Sequence, residues 1–214
     1  MGVKKDSRIG MRDARCETAF TLIELIVVIA VIAILMALLF PAFQSVQNQA
    51  KRTQAKNDVT QIVTAVNAYY TEYGKYPVAD SDQGTEKTFT TSNRQLLDIL
   101  QSLPGNDPSS TDPTTNKYNL RKIVFLQPPA VKDDSVGKRR SGVSPTDGNF
   151  YDPWASVYQV RIDSDYSSKV ANPYPPTGNA GPDPLQTAVV AWSLGNNQAQ
   201  DSDVKAGDDV ISWQ

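Results

Sequence analysis

The sequence contains no histidine and a single cysteine, and these absences exclude several classes of site. Without histidine, the chain cannot build a Ser-His-Asp triad, a Cys-His pair or a histidine-containing zinc site. With one cysteine it cannot form an internal disulfide. The formal net charge of −2 provides no basic excess that would favour a nucleic-acid partner. Catalysis by paired carboxylates is the enzymatic chemistry that these absences leave open.

A basic segment followed by a long apolar run marks the N-terminal part of the chain. Residues 1–19 carry five basic and three acidic side chains. The run from Phe20 to Phe40 contains one charged residue, Glu24. About 20 apolar residues suffice to cross a bilayer core as a helix, and flanking basic residues stay in the cytoplasm. We therefore expect a single membrane span with a cytoplasmic N-terminus.

Glu24 opposes insertion of the apolar run into a membrane, so its presence there needs an explanation. An ionised carboxylate in lipid costs several kcal/mol unless it is paired. If the chain is cut before Phe20, the new α-amine is the nearest positive charge. The alternative is a carboxylate that reaches back to the membrane interface without a partner. An ordinary secretory signal is not favoured, because no small-x-small cleavage site follows the apolar run.

The segment Ala19–Ala30 resembles the class III signal of type IV pilins and type II secretion pseudopilins. The resemblance implies that prepilin peptidase cuts between Ala19 and Phe20 and methylates the new amine of Phe20. It also implies that Glu24 pairs with the N-terminal amine of a neighbouring subunit during filament assembly. The family usually has glycine before the cut, where this chain has Ala19. Cys16 would be removed with the leader, and either Met1 or Met11 could start the chain.

One long helix is predicted from the apolar run to Tyr73. A proline within a helix bends it, and pilin relatives often have one here, so we expect a helix kink at Pro41. The alternative is that Pro41 ends the span. Beyond it, apolar side chains recur at the helical spacing i, i+3, i+4, i+7, at Val59, Ile62, Val63, Val66, Tyr69, Tyr70 and Tyr73. Gly74 and Pro77 then favour termination of the helix.

The remaining chain predicts a small α+β domain. A short helix is predicted over Ser92–Leu100, and a β-prone run lies at Lys122–Leu126. Alternation and β-branched residues predict strands at Tyr158–Asp163, Thr187–Ser193 and Val210–Trp213. The fold class is therefore α+β and pilin-like: a long N-terminal helix packed on a small antiparallel sheet of about three or four strands, with a C-terminal loop.

These features divide the chain into four segments. We expect a cleaved basic leader over 1–19 and a transmembrane, filament-core helix over 20–43. An amphipathic helix half follows over 44–74, and a periplasmic globular α+β domain occupies 75–214.

Two motifs in the C-terminal half resemble one particular group within this family. Asp152–Tyr158 resembles the Asp-Pro-Trp-Gly-x-Pro-Tyr turn of the major, G-type pseudopilin of type II secretion. Ala155 and Val157 stand where that family has glycine and proline. The stretch from Trp192 to Trp213 resembles the same family's calcium loop.

The calcium resemblance implies a set of oxygen ligands. The candidates are the Leu194 carbonyl, the Asn197 side chain and a carboxylate of Asp208 or Asp209, with Asp203 as a further possibility. Ca²⁺ prefers six to eight oxygen ligands of these kinds. Because the mature chain would have no disulfide, a metal could restrain this long loop. The alternative is a solvated acidic loop that binds no metal.

The resemblance implies a structural subunit without catalytic residues. Such a subunit forms a homo-oligomeric helical filament, the periplasmic pseudopilus, which drives protein export. The implied partners are prepilin peptidase, minor pseudopilins, the inner-membrane assembly platform and membrane lipid. The implied location is the bacterial inner membrane, with the C-terminal domain in the periplasm.

Three other functions remain open from the sequence. A type IV pilin would serve adhesion, motility or DNA uptake. A membrane-anchored glycan-binding module would use Trp154, Trp192 and Trp213 as an exposed platform. An anchored hydrolase would use a carboxylate pair such as Asp163 and Asp165, which we predict to share one face of a strand.

Overall fold

A computed structural model describes residues 20–104 and 116–214 of the chain. The predicted leader, including Ala19, Cys16 and both candidate start residues, lies outside the described residues. The chain divides into two compact units, Met1–Val46 and Gln47–Gln214. The first unit contributes the apolar part of a long helix, and the second contains the globular domain.

Helix α1 extends over Leu22–Tyr73, 52 residues, which confirms the predicted long helix. The helix continues through position 41, so Pro41 does not end the helix. A bend at that position stays a prediction. The helix stops where expected: Gly74 adopts a φ of +66°, a left-handed conformation that favours glycine, and its N–H donates to the Tyr70 carbonyl at 2.8 Å.

The second half of α1 buries the predicted apolar stripe within the Gln47–Gln214 unit. Val59, Ile62, Val66 and Tyr69 are fully buried there. Val63 and Tyr73 pack partly buried against the same core, and Tyr70 is 39% exposed. The helical spacing of these residues therefore anchors the domain to its helix, as expected from an amphipathic segment.

The central element is a four-stranded antiparallel sheet. Its strands are β1 (Lys87–Phe89), β4 (Gln159–Ile162), β5 (Val189–Ser193) and β6 (Val210–Ile211), in the order β1-β4-β5-β6. In the register, Gln159 pairs with Trp192 and Trp192 pairs with Ile211. The three predicted strands are confirmed as β4, β5 and β6, and β1 was not predicted.

Three further elements complete the domain. Helix α2 covers Arg94–Leu100, which confirms the short predicted helix. Strands β2 (Gly142–Val143) and β3 (Phe150–Tyr151) form a separate antiparallel pair that the sequence did not predict. A single turn of 3-10 helix lies at Asp80–Asp82.

Strand β5 is buried on both faces. Val189 and Ala191 belong to the core that contains α1 and α2, whereas Val190 and Trp192 belong to a second core. This second core includes Val170, Tyr174, Ala180, Leu185 and Ile211. Residues 164–186, which carry many Pro, Gly and Asn residues, therefore form a layer over the far face of the sheet.

Two asparagine side chains fix the chain around β3. Asn93 accepts from the Phe150 N–H at 2.9 Å and donates to the carbonyls of Phe150 and Tyr158 at 3.2 and 3.0 Å. Asn149 accepts from the N–H groups of Asn93 and Arg94, which the first turn of α2 leaves without helical partners. Both ends of the 150–158 segment are thus held in place.

Two local expectations differ from the structure. The run Lys122–Leu126 forms no strand. Instead Leu126 is buried in the core, and the Phe125 N–H donates to the Leu100 carbonyl at 2.8 Å. Hydrogen bonds of its backbone with Leu100 and Asn119, together with the burial of Leu126, hold this run in place without a neighbouring strand.

The acidic pair Asp163 and Asp165 lies beyond β4, which ends at Ile162. The buried Asp163 carboxylate accepts from the N–H groups of Ser167 and Ser168 at 2.8 and 2.7 Å. The predicted shared strand face is therefore wrong. Asp163 stabilises a turn, and this gives the hydrolase alternative no support.

Candidate functional site

At the start of α1, Glu24 closes a capping box with Thr21. The Thr21 N–H and hydroxyl donate to Glu24 Oε2 at 2.8 and 2.7 Å, and the Glu24 N–H donates to Thr21 Oγ1 at 3.3 Å. This reciprocal arrangement satisfies backbone donors that the first helical turn leaves unpaired. The Thr-x-x-Glu spacing from Thr21 to Glu24 is the sequence signature of such a box.

The capping box gives Glu24 a role within its own subunit. Thr21 provides hydrogen bonds but no positive charge, so the negative charge of the Glu24 carboxylate stays uncompensated at the start of an apolar segment. Thr21 therefore offsets only part of the cost of placing Glu24 in lipid.

The first half of α1 is an exposed apolar surface. Large apolar side chains from Phe20 to Phe40 have exposed fractions between 48% and 76%. Among the described residues, α1 is the helix that is long and apolar enough to cross a membrane. Exposed apolar area on this scale indicates a lipid or protein partner. The length and hydropathy of this segment would also fit a signal sequence. The residues around Phe20 are therefore needed to separate a signal sequence from a lasting membrane anchor.

In the globular unit, Asp152 closes the turn that resembles the pseudopilin motif. Its Oδ1 accepts from the N–H groups of Trp154 and Ser156, each at 2.8 Å. The Asp152 N–H donates to the Ser156 carbonyl at 2.8 Å. Ala155 adopts a φ of +78°, where glycine is favoured, so this position is strained in the present chain. The turn nevertheless forms.

The Asp152 turn contacts the acidic loop that follows β5. Asp152 Oδ2 accepts from the Ser193 hydroxyl at 2.5 Å, and the Gly195 N–H donates to the same hydroxyl oxygen at 3.1 Å. Gln198 Nε2 donates to the Trp154 carbonyl at 2.5 Å. Two motifs that are separate in sequence are therefore adjacent in the fold.

Three carboxylates converge in the acidic loop. Oxygens of Asp201, Asp208 and Asp209 lie within 4.8 Å of one another. Asp201 Oδ2 accepts from the N–H groups of Asp208 and Asp209 at 2.7 and 3.2 Å. Asp208 Oδ2 accepts from the N–H groups of Asn196 and Asn197. The backbone of the loop thus folds around its own acidic side chains.

Asp209 is the buried member of this cluster. It is 5% exposed, and its Oδ2 accepts from the Tyr174 hydroxyl at 2.7 Å and the Asp201 N–H at 2.8 Å. Its Oδ1 is buried without a hydrogen-bond partner among the described residues. Burial is the main cause that raises the pKa of Asp209, and the charges of Asp201 and Asp208 act in the same direction. An unpaired buried carboxylate oxygen fits a site that a cation would complete.

The predicted ligands occupy different positions around this cluster. Asp208 and Asp209 are brought together, and Asp201, which we did not select, joins them. Asn197 lies at the edge, where its Nδ2 donates to Asp201 Oδ1 at 2.9 Å. Asp203 lies outside the cluster, because its carboxylate accepts from Asn179 Nδ2 and the Lys205 N–H. Leu194 is partly buried against the second core.

Helix α1 holds the backbone that carries two of these aspartates. Arg52 Nη2 donates to the Gly207 carbonyl at 2.8 Å, and Lys56 Nζ donates to the Ile211 carbonyl at 2.7 Å. The absence of a side chain at Gly207 leaves room for the Asp201 carboxylate, because an added Cβ would lie 1.8 Å from Asp201 Oδ2 and would displace it. The acidic cluster is therefore positioned by the helix as well as by the sheet.

The three tryptophans do not form an exposed platform. Trp154 and Trp192 are buried, and Trp213 is partly buried. The rings of Trp192 and Trp213 meet at 83°, far from coplanar. This arrangement gives the glycan-binding alternative no support.

A family model described as the prokaryotic N-terminal methylation motif matches residues 14–40. This match indicates a type IV pilin-like protein that prepilin peptidase processes. The family consists of structural subunits rather than enzymes. No curated protein and no solved structure matches the chain. The match supports membrane anchoring and pilus-like assembly, and it does not distinguish a pilin from a pseudopilin.

The Asp152 turn predicts a pH dependence of stability. Burial raises the pKa of Asp152 from 3.8 to about 6, against the lowering effect of its hydrogen bonds from Ser193, Ser156 and Trp154. Because the folded pKa is the higher one, the contribution of Asp152 to stability is full below about pH 4 and is lost as the pH rises through about 6. The shift corresponds to about 3 kcal/mol.

Asp152→Asn should remove this dependence, because an amide resembles the protonated acid. We expect the free energy of unfolding to fall between pH 4.5 and 7 by about 2 kcal/mol more in the wild type than in Asp152→Asn, because this window begins above the unfolded pKa and captures about two thirds of the full shift. Urea unfolding of the detergent-solubilised chain in EDTA, followed by tryptophan fluorescence, measures this difference. Asp133→Asn is the control, because Asp133 is exposed and its pKa is lowered, mainly by its hydrogen bond with Ser135. This variant should keep the fall in stability that Asp152 causes. If the free energy of unfolding changed with pH in the same way in the wild type and in Asp152→Asn, the raised pKa of Asp152 would be contradicted.

Proposed function

We propose that this chain is a structural pseudopilin, the major G-type subunit of a type II secretion pseudopilus. The proposal goes beyond the methylation motif and rests on the globular unit. Its main support is the contact between the Asp152 turn and the acidic loop, since each resembles a feature of that family. Asp152 and Ser193 connect the two directly at 2.5 Å.

The acidic cluster would be a calcium site in this proposal. Asp201, Asp208 and Asp209 supply carboxylate oxygens within 4.8 Å of one another, and hard oxygen ligands suit Ca²⁺. The buried Oδ1 of Asp209, which has no hydrogen-bond partner in the described part of the chain, is the observation that most favours a bound cation over a solvated loop. A bound calcium ion supplies positive charge that offsets the repulsion among three carboxylates. In a chain without disulfides, it would also fix the loop against the sheet.

Assembly would depend on the head of α1. After cleavage before Phe20, the methylated α-amine of one subunit would pair with Glu24 of its neighbour. The pairing offsets the cost of a carboxylate in lipid, while the exposed apolar face of residues 22–40 packs against lipid or adjacent helices. Helix packing and this ion pair are the chemistry of the subunit, and energy for export comes from an ATPase elsewhere.

The proposed function also implies a location and a set of partners for this subunit. The N-terminus would face the cytoplasm and the globular unit the periplasm, in accord with the basic side chains before the span. Prepilin peptidase, the assembly platform and minor pseudopilins would act on or join this subunit. A surface type IV pilin is the competing function within the class.

A complementation experiment in the source bacterium tests this function. Deletion of the chain should abolish secretion of exoproteins, and the wild type should restore it. Glu24→Gln should be cleaved and inserted normally, because glutamine can also close a capping box and is cheaper in lipid. It should nevertheless fail to restore secretion or enter filaments, because the charge is lost.

Thr21→Val is the matched control for the capping role. It keeps the Glu24 charge and loses the Thr21 hydroxyl, at a cost of about 1 kcal/mol in helix stability, so it should restore secretion. Filaments formed by Glu24→Gln would refute the ion pair. Intact secretion in the deletion strain, with motility or DNA uptake lost, would identify a type IV pilin instead.

Calcium binding by the detergent-solubilised full chain tests the metal part separately. We expect Asp209→Asn to weaken Ca²⁺ binding about tenfold or more, because a buried charged ligand becomes neutral. Isothermal titration measures the dissociation constant. Asp203→Asn is the matched control and should bind as the wild type does, since Asp203 lies outside the cluster. Equal binding by Asp209→Asn and the wild type would contradict this site.

A further inference from the structure

The Tyr174 hydroxyl reaches the acidic cluster from the layer on the far face of the sheet. It donates to Asp209 Oδ2 at 2.7 Å, and the Asp201 N–H donates to the same oxygen at 2.8 Å. The other oxygen, Oδ1, has no partner among the described residues. One oxygen of Asp209 is therefore fixed from outside the cluster, and the other is left for a ligand.

The position of this hydroxyl is set by packing and by a side-chain hydrogen bond. The Tyr174 ring is 2% exposed in the second core, with the Trp213 ring 6.0 Å away. The Tyr174 N–H donates to Asn172 Oδ1 at 3.0 Å. Asn172 Nδ2 in turn donates to the carbonyls of Gly181 and Pro182 at 3.2 and 3.1 Å. Tyr174 thus has little freedom to move away from Asp209.

The layer that carries Tyr174 is also attached to the acidic loop at other points. The Val204 N–H donates to the Gly178 carbonyl at 2.9 Å. Gln200 Nε2 donates to the Pro173 carbonyl at 2.5 Å, and Asn179 Nδ2 donates to Asp203 at 2.8 Å. The stretch around Tyr174 and the loop therefore form one hydrogen-bonded unit.

Three neutral N–H groups, those of Gln101, Trp154 and Trp192, are also buried without partners in the described part of the chain. A buried carboxylate oxygen without a partner costs more than a neutral N–H group, because burial removes a charged group from water and also leaves a hydrogen bond unmade. Its presence next to two further carboxylates distinguishes Asp209 from these three groups.

We propose that Tyr174 is a positioning residue of the calcium site, which orients Asp209 so that Oδ1 faces the ion. This inference rests on the calcium part of the proposed function. Hydrogen bonds from outside the ligand shell orient metal-binding carboxylates and tune affinity, and their loss commonly weakens binding 10–100-fold. The layer formed by residues 164–186 thereby has a functional role as well as a packing role.

Tyr174→Phe removes the hydroxyl and keeps the ring. The chain offers a matched control in Tyr158, which is also fully buried and donates its hydroxyl to a carboxylate, Asp58, at 2.7 Å. Both variants lose one Tyr–Asp hydrogen bond, but only Tyr174 contacts the acidic cluster. We expect Tyr174→Phe to weaken Ca²⁺ binding about tenfold or more, and Tyr158→Phe to retain the wild-type dissociation constant.

Isothermal titration of the detergent-solubilised full chain with CaCl₂ measures these constants, and thermal unfolding in EDTA measures stability without metal. A purely structural role would lower the EDTA melting temperature of both variants and leave both dissociation constants unchanged. That result would overturn the positioning role while leaving the calcium site intact. Absence of Ca²⁺ binding by the wild type would overturn the calcium site and the role of Tyr174 together.

Asn172→Ala provides a second variant that retains the tyrosine. It removes the side-chain contact to the Tyr174 N–H and should weaken Ca²⁺ binding several-fold, through a less fixed hydroxyl. If Tyr174→Phe does not fold, Asn172→Ala decides the question. An unchanged dissociation constant in Asn172→Ala would then refute the positioning role.

Discussion

A single carboxylate at the head of an apolar helix constrains the rest of this molecule. Lipid does not solvate the charge of Glu24, and the cost is several kcal/mol unless a partner supplies opposite charge. Thr21 provides hydrogen bonds to Glu24 Oε2 and caps the helix, but it provides no charge. The isolated subunit thus satisfies the hydrogen-bonding needs of Glu24 and leaves its charge uncompensated. A second subunit with a free amine at Phe20 would supply what is missing.

The globular unit follows the same physical logic at a different site. Strand β5 is buried on both faces because α1 covers one face and residues 164–186 cover the other. The loop that leaves β5 is largely exposed, but it returns to the sheet at Asp209, a buried carboxylate with one oxygen that has no partner among the described residues. Arg52 secures the loop from the helix side, and Tyr174 secures it from the far side. In the proposed function, both sites place an acidic group where a specific cation would stabilise it.

Long periodic segments could be predicted from the sequence, whereas short or long-range features could not. The apolar period specified α1, and alternating or β-branched runs specified β4, β5 and β6. Strands β1, β2 and β3 have only two or three residues each, too few for a period, whereas the equally short β6 lies in the largely apolar run Val210–Trp213. The run Lys122–Leu126 has strand-like composition, but its backbone bonds to Leu100 and Asn119 instead of to a partner strand.

The site was predictable to a similar degree. The resemblance of the Trp192–Trp213 stretch to a calcium loop implied Asp208 and Asp209 as ligands, and the Thr-x-x-Glu pattern at Thr21 was available. Asp201 joins the cluster through backbone hydrogen bonds that depend on how the loop closes. Tyr174 lies 35 residues before Asp209, in a segment with no periodic pattern, so only the fold brings the two together.

Mass spectrometry of the mature N-terminus tests the central claim most directly. Protein purified from the membrane of the source bacterium should begin at Phe20 and carry one methyl group on its α-amine. The apolar helix and Glu24 would then remain in the mature chain, available for pairing between subunits. A mature chain that begins after Phe40, or one that retains residues 1–19, would contradict the account.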